Sequence, residues 1–211
     1  MIKENIIKIK REIDRVLLLA VTKGRTIEEI NESLEAGIRV IGENKVQELK
    51  TKTPLLPKNL RIDFIGHLQT NKVKDVIKYC FLIHSVDSLH LAQEIDKQAK
   101  KIGKIQNILL EINISGEKTK YGFKKEEVRN IFPQLSKLEN IKITGMMTIA
   151  PYLDNPEKSR LIFRELKQIK YLLENKFGVV LPELSMGMSN DYKIAIDEGA
   201  TIIRLGRIIF E

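Results

Sequence analysis

Eight short apolar runs, each followed by a stretch of helical period, leave this chain few folds to choose from. The runs are "RVLLLAVTK", "GIRVIGEN", "RIDFIGHLQ", "CFLIHSVDS", "QNILLEINIS", "IKITGMMTIAP", "LPELSMGMS" and "TIIRLGRIIF". Several are apolar at consecutive positions, as strands covered on both faces are. Between them the spacing predicts helices over 26–36, 44–53, 71–79, 88–102, 124–138, 156–177 and 190–198. Strand and helix alternating in this way form either an open doubly wound sheet or a closed barrel. An open dinucleotide-binding sheet would carry G-x-G-x-x-G after its first strand, and "AVTKGRTIEEI" has one glycine there. The expectation is an α/β fold, a single (β/α)8 TIM barrel over residues 1–211, with an additional N-terminal helix on its lower end or side. That helix would share Ile2, Ile6, Ile9 and Ile13 on one face.

Local chemistry supports the boundaries. Thr26 with Glu29 makes a capping box, Gly37 closes the same helix, and Asn155 before Pro156 marks a start. Pro133 inside 124–138 predicts a kink or a split. Lys and Arg number 36 against 28 Asp and Glu, a net charge of +8, which raises the question of an anionic partner. The lysines are spread beside glutamates, as in "RELKQIKYLLENK", so the pattern reads as a solvated surface and no specific nucleic-acid partner is expected. No run reaches the ~20 apolar residues of a membrane span, and the charged amino terminus does not read as a signal peptide, so a cytoplasmic protein is expected. The one cysteine, Cys80, reads as a buried small hydrophobe. Nothing marks a subunit interface, and a monomer is expected.

In a barrel the functional groups gather where strands end. Lys23 ends the first strand; if it points inward, Leu19 and Val21 do too, while Leu18, Ala20 and Thr22 face the helices. A lysine amine above an apolar barrel interior would be desolvated and able to attack a carbonyl. A lysine reaching into solvent from a strand end would read the same way, and the pattern alone leaves both open. The last two strands end in "SMGMSND" and "RLGR". Ser189 lies at or beside a helix start there, Gly206 allows close backbone approach, and Arg207 adds charge, in the position where this fold usually binds phosphate. Arg204 should point inward, toward a ligand or toward a carboxylate such as Glu43 or Asp191. An amine, a phosphate cradle and an inward arginine together resemble a site for pyridoxal 5′-phosphate (PLP).

The motifs "LLAVTK", "GENKVQE", "FIGHLQTNK", "IHSVD", "INISGEKTKYGF", "ITGMMTIAP", "LSMGMSNDYKIAI" and "GATIIRLGRIIF" occur in the order found in the pyridoxal phosphate homeostasis protein family. The chain resembles that family over nearly its whole length, and the family's fold is similar to the barrel domain of alanine racemase. The resemblance implies that Lys23 carries PLP as a Schiff base. It further implies that Asn44 lies beside the cofactor, that Ser189 and Gly206 hold the phosphate, and that Arg204 meets the pyridine nitrogen. Met147 and His67 match positions lining the pocket, and Lys120 matches a second lysine near the site. Family members commonly have Thr where Arg207 stands, and a Gly and a basic residue are expected after "IF", where this sequence has Glu211. These departures bear on how tightly the cofactor is held, not on which cofactor it is. A racemase would need a second acid/base from an additional domain, for which this sequence leaves no room. The implied function is intracellular PLP buffering or carriage, with PLP-dependent apoenzymes as recipients and no amino-acid turnover. A PLP-dependent racemase or a Schiff-base aldolase is the alternative.

Overall fold

The computed structural model describes residues 1–117, 119–152 and 154–211. Its strands are β1 (Leu17–Val21), β2 (Val40–Glu43), β3 (Arg61–Phe64), β4 (Leu82–Val86), β5 (Gln106–Asn113), β6 (Phe123–Lys124), β7 (Ile141–Met147), β8 (Glu183–Ser185) and β9 (Ile202–Leu205). They pair in the order β4-β3-β2-β1-β9-β8-β7-β5, every ladder is parallel, and β4 pairs with β5 to shut the ring. This is the expected eight-stranded parallel barrel. The two-residue β6, which no apolar run announces, pairs with the end of β5.

Helices α1 (Ile2–Glu12), α2 (Ile27–Glu35), α3 (Val46–Lys52), α4 (Val73–Val76), α5 (Leu89–Lys101), α6 (Lys125–Leu135), α7 (Ser159–Phe177), α8 (Tyr192–Asp197) and α9 (Arg207–Phe210) fill the connections. The capping box at Thr26 forms in full, with the Thr26 hydroxyl accepting the Glu29 N–H and the Glu29 carboxylate accepting the Thr26 N–H. Pro133 does not split α6 into two elements. It lies in the last turn, where a proline forgoes only one late hydrogen bond, and the Ser136 N–H still reaches Phe132 O at 2.9 Å.

The helix after the eighth barrel strand, α9, is only one turn long, and α1 takes the remaining place in the ring. Ile2, Ile6 and Ile9 are buried. Helix α1 packs against α2 and α9, the Asn5 amide donates to Ile209 O at 3.1 Å, and the Tyr192 hydroxyl of α8 donates to Glu12 at 2.6 Å. The extra helix therefore lies on the side of the barrel.

Two apolar layers result. The larger lies between sheet and helices and includes Leu18, Ala20, Ile41, Phe64, Ile83, Phe132 and Phe163. The smaller is inside the barrel: Leu19, Val40, Ile65, Leu82, Leu109, Met147 and Ile202. Burying each such aliphatic side chain is worth about 1.5–3 kcal/mol, which is what holds the strand ends in register for the site above.

Candidate functional site

Strand alternation in β1 runs as expected. Leu19 is inside the barrel with Val21 packed against the same cluster, and Leu18 and Ala20 face the helices. Lys23 follows at the C-terminal mouth. It is exposed there, which matches the solvent-reaching one of the two readings that the pattern left open. The strand stops at Val21, and two further residues carry Lys23 past the apolar layer into the wall of an open pocket of about 370 Å³. Its amine has no hydrogen-bond or ion-pair partner among the described residues.

The opposite wall comes from the ends of β8 and β9. Ser189, Arg204, Gly206 and Arg207 all line the pocket that Lys23 lines, together with Arg25, which the sequence reading passed over. The β8 end turns through Gly187, at φ +93, where an added Cβ would lie 2.6 Å from Ala195 Cβ and 3.0 Å from Tyr192 Cα. Only glycine lets this loop lie so close to α8. Asp191 closes the turn by accepting the Met188 N–H at 2.7 Å, and burial raises its carboxyl above the ordinary range. Ser189 lies three residues before the start of α8 at Tyr192, and its hydroxyl accepts from the Ile208 N–H in the first turn of α9 at 3.5 Å. Arg207 is exposed, and Arg25 reaches Glu211 at 2.6 Å while standing over the Phe210 ring. The loop holding Ser189, Asn190 and Asp191 is also a wall of a second cavity of about 580 Å³ against α1.

Asn44 and His67 line a neighbouring cleft and not the pocket of Lys23. Val21 pairs with Gly42, so Asn44 follows the end of the strand next to β1. Gly66 fixes it: a Cβ there would fall 2.0 Å from Asn44 O. The Asn44 Oδ1 is buried without a hydrogen-bond partner among the described residues. His67 stacks on Tyr121 at 3.6 Å and stands 3.4 Å from Asp87, bridging three loops at the mouth. Met147 lies in the apolar floor of the barrel interior. Lys120 is 2.8 Å from Glu117 and lines a separate cavity of about 150 Å³ with Glu111 and Tyr121.

Arg204 is the inner end of a chain of hydrogen bonds that crosses the barrel. It pairs with neither carboxylate expected for it: Glu43 faces outward to Thr22 and Lys52, and Asp191 acts on it only through its field. Arg204 Nη1 donates to Ser185 Oγ at 2.6 Å and Nη2 to Thr148 O at 2.9 Å. Ser185 Oγ is 2.9 Å from His84 Nδ1, His84 Nε2 is 3.1 Å from Asp63, and Asp63 accepts two bonds from Arg61 at 2.9 and 3.0 Å. The direction of every bond is fixed by its ends. Arginine only donates, so Ser185 accepts from it, and with a neutral His84 whose proton faces Asp63 the serine gives its own proton to His84 Nδ1. The remaining histidine proton sits on Nε2 and goes to Asp63. A neutral His84 agrees with its burial, which lowers its pKa. Although Asp63, His84 and Ser185 have the residue types of a hydrolase triad, all are buried and the serine is engaged by Arg204, so no substrate reaches it. Burial pulls the Arg204 guanidinium down to about 10, opposed by the fields of Glu111 and Asp191, and it remains a cation at neutral pH.

Glu111 was also absent from the sequence expectations. It is 7% exposed, and burial, helped by the nearby Asp87, raises its carboxyl to about 7. A folded-state pKa above the ordinary 4.5 means that the native protein binds the extra proton. The stability gained is full below pH 4.5 and is lost as pH rises through about 7. Glu111→Gln is therefore expected to match the wild type near pH 4.5 and to exceed it at pH 8 by up to about 3 kcal/mol. Urea unfolding at the two pH values measures this, and parallel pH profiles would refute it. Among the described residues no group of His, Cys, Asp or Glu has the arrangement to hold a metal ion, and no helix is long and apolar enough to cross a membrane.

Fold and pocket together define a class: a parallel barrel with a lysine at the end of its first strand and anion-suited loops after its last two. The model of the family "Alanine racemase, N-terminal domain" matches residues 1–211. The chain belongs to the pyridoxal phosphate homeostasis protein family. It is 46% identical to the protein of that name from Aquifex aeolicus over 92% of this chain and 85% of the relative. The solved structure of PipY from Synechococcus elongatus without PLP has a TM-score of 0.96 at 33% identity, each chain being covered in full, and the PLP-bound form of PipY has a TM-score of 0.93. Alanine racemase of Clostridium difficile shares the fold, with a TM-score of 0.79 at 21% identity, this chain covering 56% of the racemase.

Proposed function

We propose that residues 1–211 act as one PLP-binding barrel that holds the cofactor at Lys23 and serves intracellular PLP homeostasis, as a buffer or carrier supplying apoenzymes, without turning over amino acids. The observation that carries this reading is the single pocket lined at once by an unpartnered amine and by Ser189, Gly206 and Arg207. PipY, which shares the whole chain's fold, has been solved with PLP bound. The residues fit such a guest: the Asn44 Oδ1, at the end of the strand next to β1 and without a partner among the described residues, is a buried acceptor of the kind that a ligand donor satisfies.

PLP supplies an aldehyde, which a neutral amine converts to a C=N bond with release of one water. The protein's part is binding and orientation. Ser189, Gly206 and Arg207 would hold the phosphate; Arg207 offers a forked guanidinium where the family commonly has a hydroxyl. Arg204, held by Ser185 and Thr148, would face the ring nitrogen. A cation there disfavours protonating the ring and weakens it as an electron sink, which suits storage better than carbanion chemistry. Met147 would floor the ring, and Asn44 and His67 would flank it.

The test is direct. Protein mixed with PLP should develop a visible band, borohydride should fix the label on the peptide containing Lys23, and amino acids offered to the loaded protein should be neither racemised nor decarboxylated. Label on another peptide would refute the site. Turnover would refute the carrier role and favour the enzymatic reading, for which one observation speaks: Glu111, with its carboxyl near 7, is an acid/base group close to Arg204.

A further inference from the structure

The Lys23 side chain has no partner among the described residues, so its direction depends on its backbone. That backbone is tied on both sides to one group of charges. On the N-terminal side, Thr22 O accepts from Lys52 Nζ at 2.7 Å, and Thr22 Oγ1 donates to Glu43 Oε1 at 2.6 Å. On the C-terminal side, the Gly24 N–H donates to Glu48 Oε2 at 2.7 Å. Lys52, 12% exposed on α3, joins the two: its ammonium also reaches Glu43 Oε1 at 3.0 Å and Glu48 Oε2 at 2.7 Å. Its three protons thus have three acceptors, two carboxylates and one backbone carbonyl.

We infer that Lys52 is the positioning residue for Lys23. It rests on the reading of Lys23 as the point of PLP attachment. The charge balance shows why Lys52 and not its neighbours is decisive. Glu43 is 1% exposed, its Oε2 has no partner, and its burial favours the protonated form; Lys52 and the Thr22 hydroxyl are what oppose this. Without the ammonium, Glu43 and Glu48 would be two facing carboxylates with no cation between them, and Glu48 would turn to solvent. The Gly24 N–H would then lose its acceptor at a residue with φ +71, where the glycine has no Cβ to confine it. The Lys23 amine would still be present, but aimed over a wider arc.

The experiment compares full-length wild type, Lys52→Met and Lys52→Arg at a temperature where circular dichroism shows all three folded. PLP is added, and borohydride trapping on the Lys23 peptide is followed in time. Misalignment of a reacting group by about 1 Å costs up to roughly a hundredfold, so Lys52→Met should trap about ten to a hundred times more slowly and Lys52→Arg should recover part of the rate. The Gly24 amide should exchange hydrogen faster in Lys52→Met. A purely structural role would lower the melting temperature and leave the trapping rate of the folded variant unchanged, and that result overturns the proposal. If wild type does not trap PLP at Lys23, the functional reading fails on its own. The clamp is then decided by Gly24 exchange, and equal protection in wild type and Lys52→Met overturns it.

Discussion

Lys23→Ala is expected to remain folded and to lose the PLP-dependent visible band entirely. The two halves of this result come from one fact. Lys23 is exposed and its amine touches no partner among the described residues, so removing it should change stability by no more than about 0.5 kcal/mol. Lys52, which holds the backbone on either side of Lys23, is committed to Thr22, Glu43 and Glu48 and is not free to take its place. A second readout follows from mass action. PLP at a hundred times its dissociation constant stabilises the wild type by about 2.7 kcal/mol, and the melting temperature of Lys23→Ala should show little of that rise. A variant that still forms the band, with borohydride label on Lys120, would move the attachment to the second lysine.

Asp63→Ala should damage the fold more than any exposed substitution at the mouth. Asp63 is fully buried and accepts from Arg61 twice and from His84 once. Its removal leaves the His84 Nε2 proton without an acceptor inside the barrel and Arg61 without its carboxylate. Breaking a buried charge pair from one side costs about 3–5 kcal/mol, or roughly 6–20 °C in melting temperature for a chain of this size. The effect should also reach the pocket: His84 and Ser185 would be free to turn, and Arg204 would lose its fixed partner. PLP binding measured at low temperature, where the variant is still folded, should weaken as well. A loss of stability below about 1 kcal/mol would mean that the chain from Arg61 to Arg204 is not held as a unit.

The barrel was legible because its strands follow a period-two register that one-dimensional reading can use. Leu19 and Val21 fall inside and Leu18 and Ala20 outside as alternation requires. The same logic applied to "RIDF", "LIHS" and "LLEI" would have drawn attention to Asp63, His84 and Glu111, polar residues in strands otherwise buried. What alternation cannot supply is height along the barrel axis. The pattern left Lys23 open between an apolar interior and solvent, and its position two residues beyond the strand puts it in solvent. For Arg204 the alternative to a ligand was Glu43 or Asp191; Glu43 lies on the other face of its strand, and the actual protein partners are a serine on the neighbouring strand β8 and a carbonyl just past the end of β7, whose heights alternation does not give. Lys52 was invisible for another reason. On α3 it looks like one more helix lysine, four residues after a glutamate, and only the approach of α3 to the end of β1 gives it Thr22 and Gly24 to hold.

The placing of α1 in the ring has a consequence for how the chain acquires its function during synthesis. Helix α1 rests against α9, and during synthesis β1 waits for β9, the strand that carries Arg204. Until that final segment emerges, the lysine strand has an open edge and the anion loops have no second wall. A nascent chain therefore has no half-built cofactor pocket to expose. Ligand competence should therefore appear in one step, with completion of the barrel.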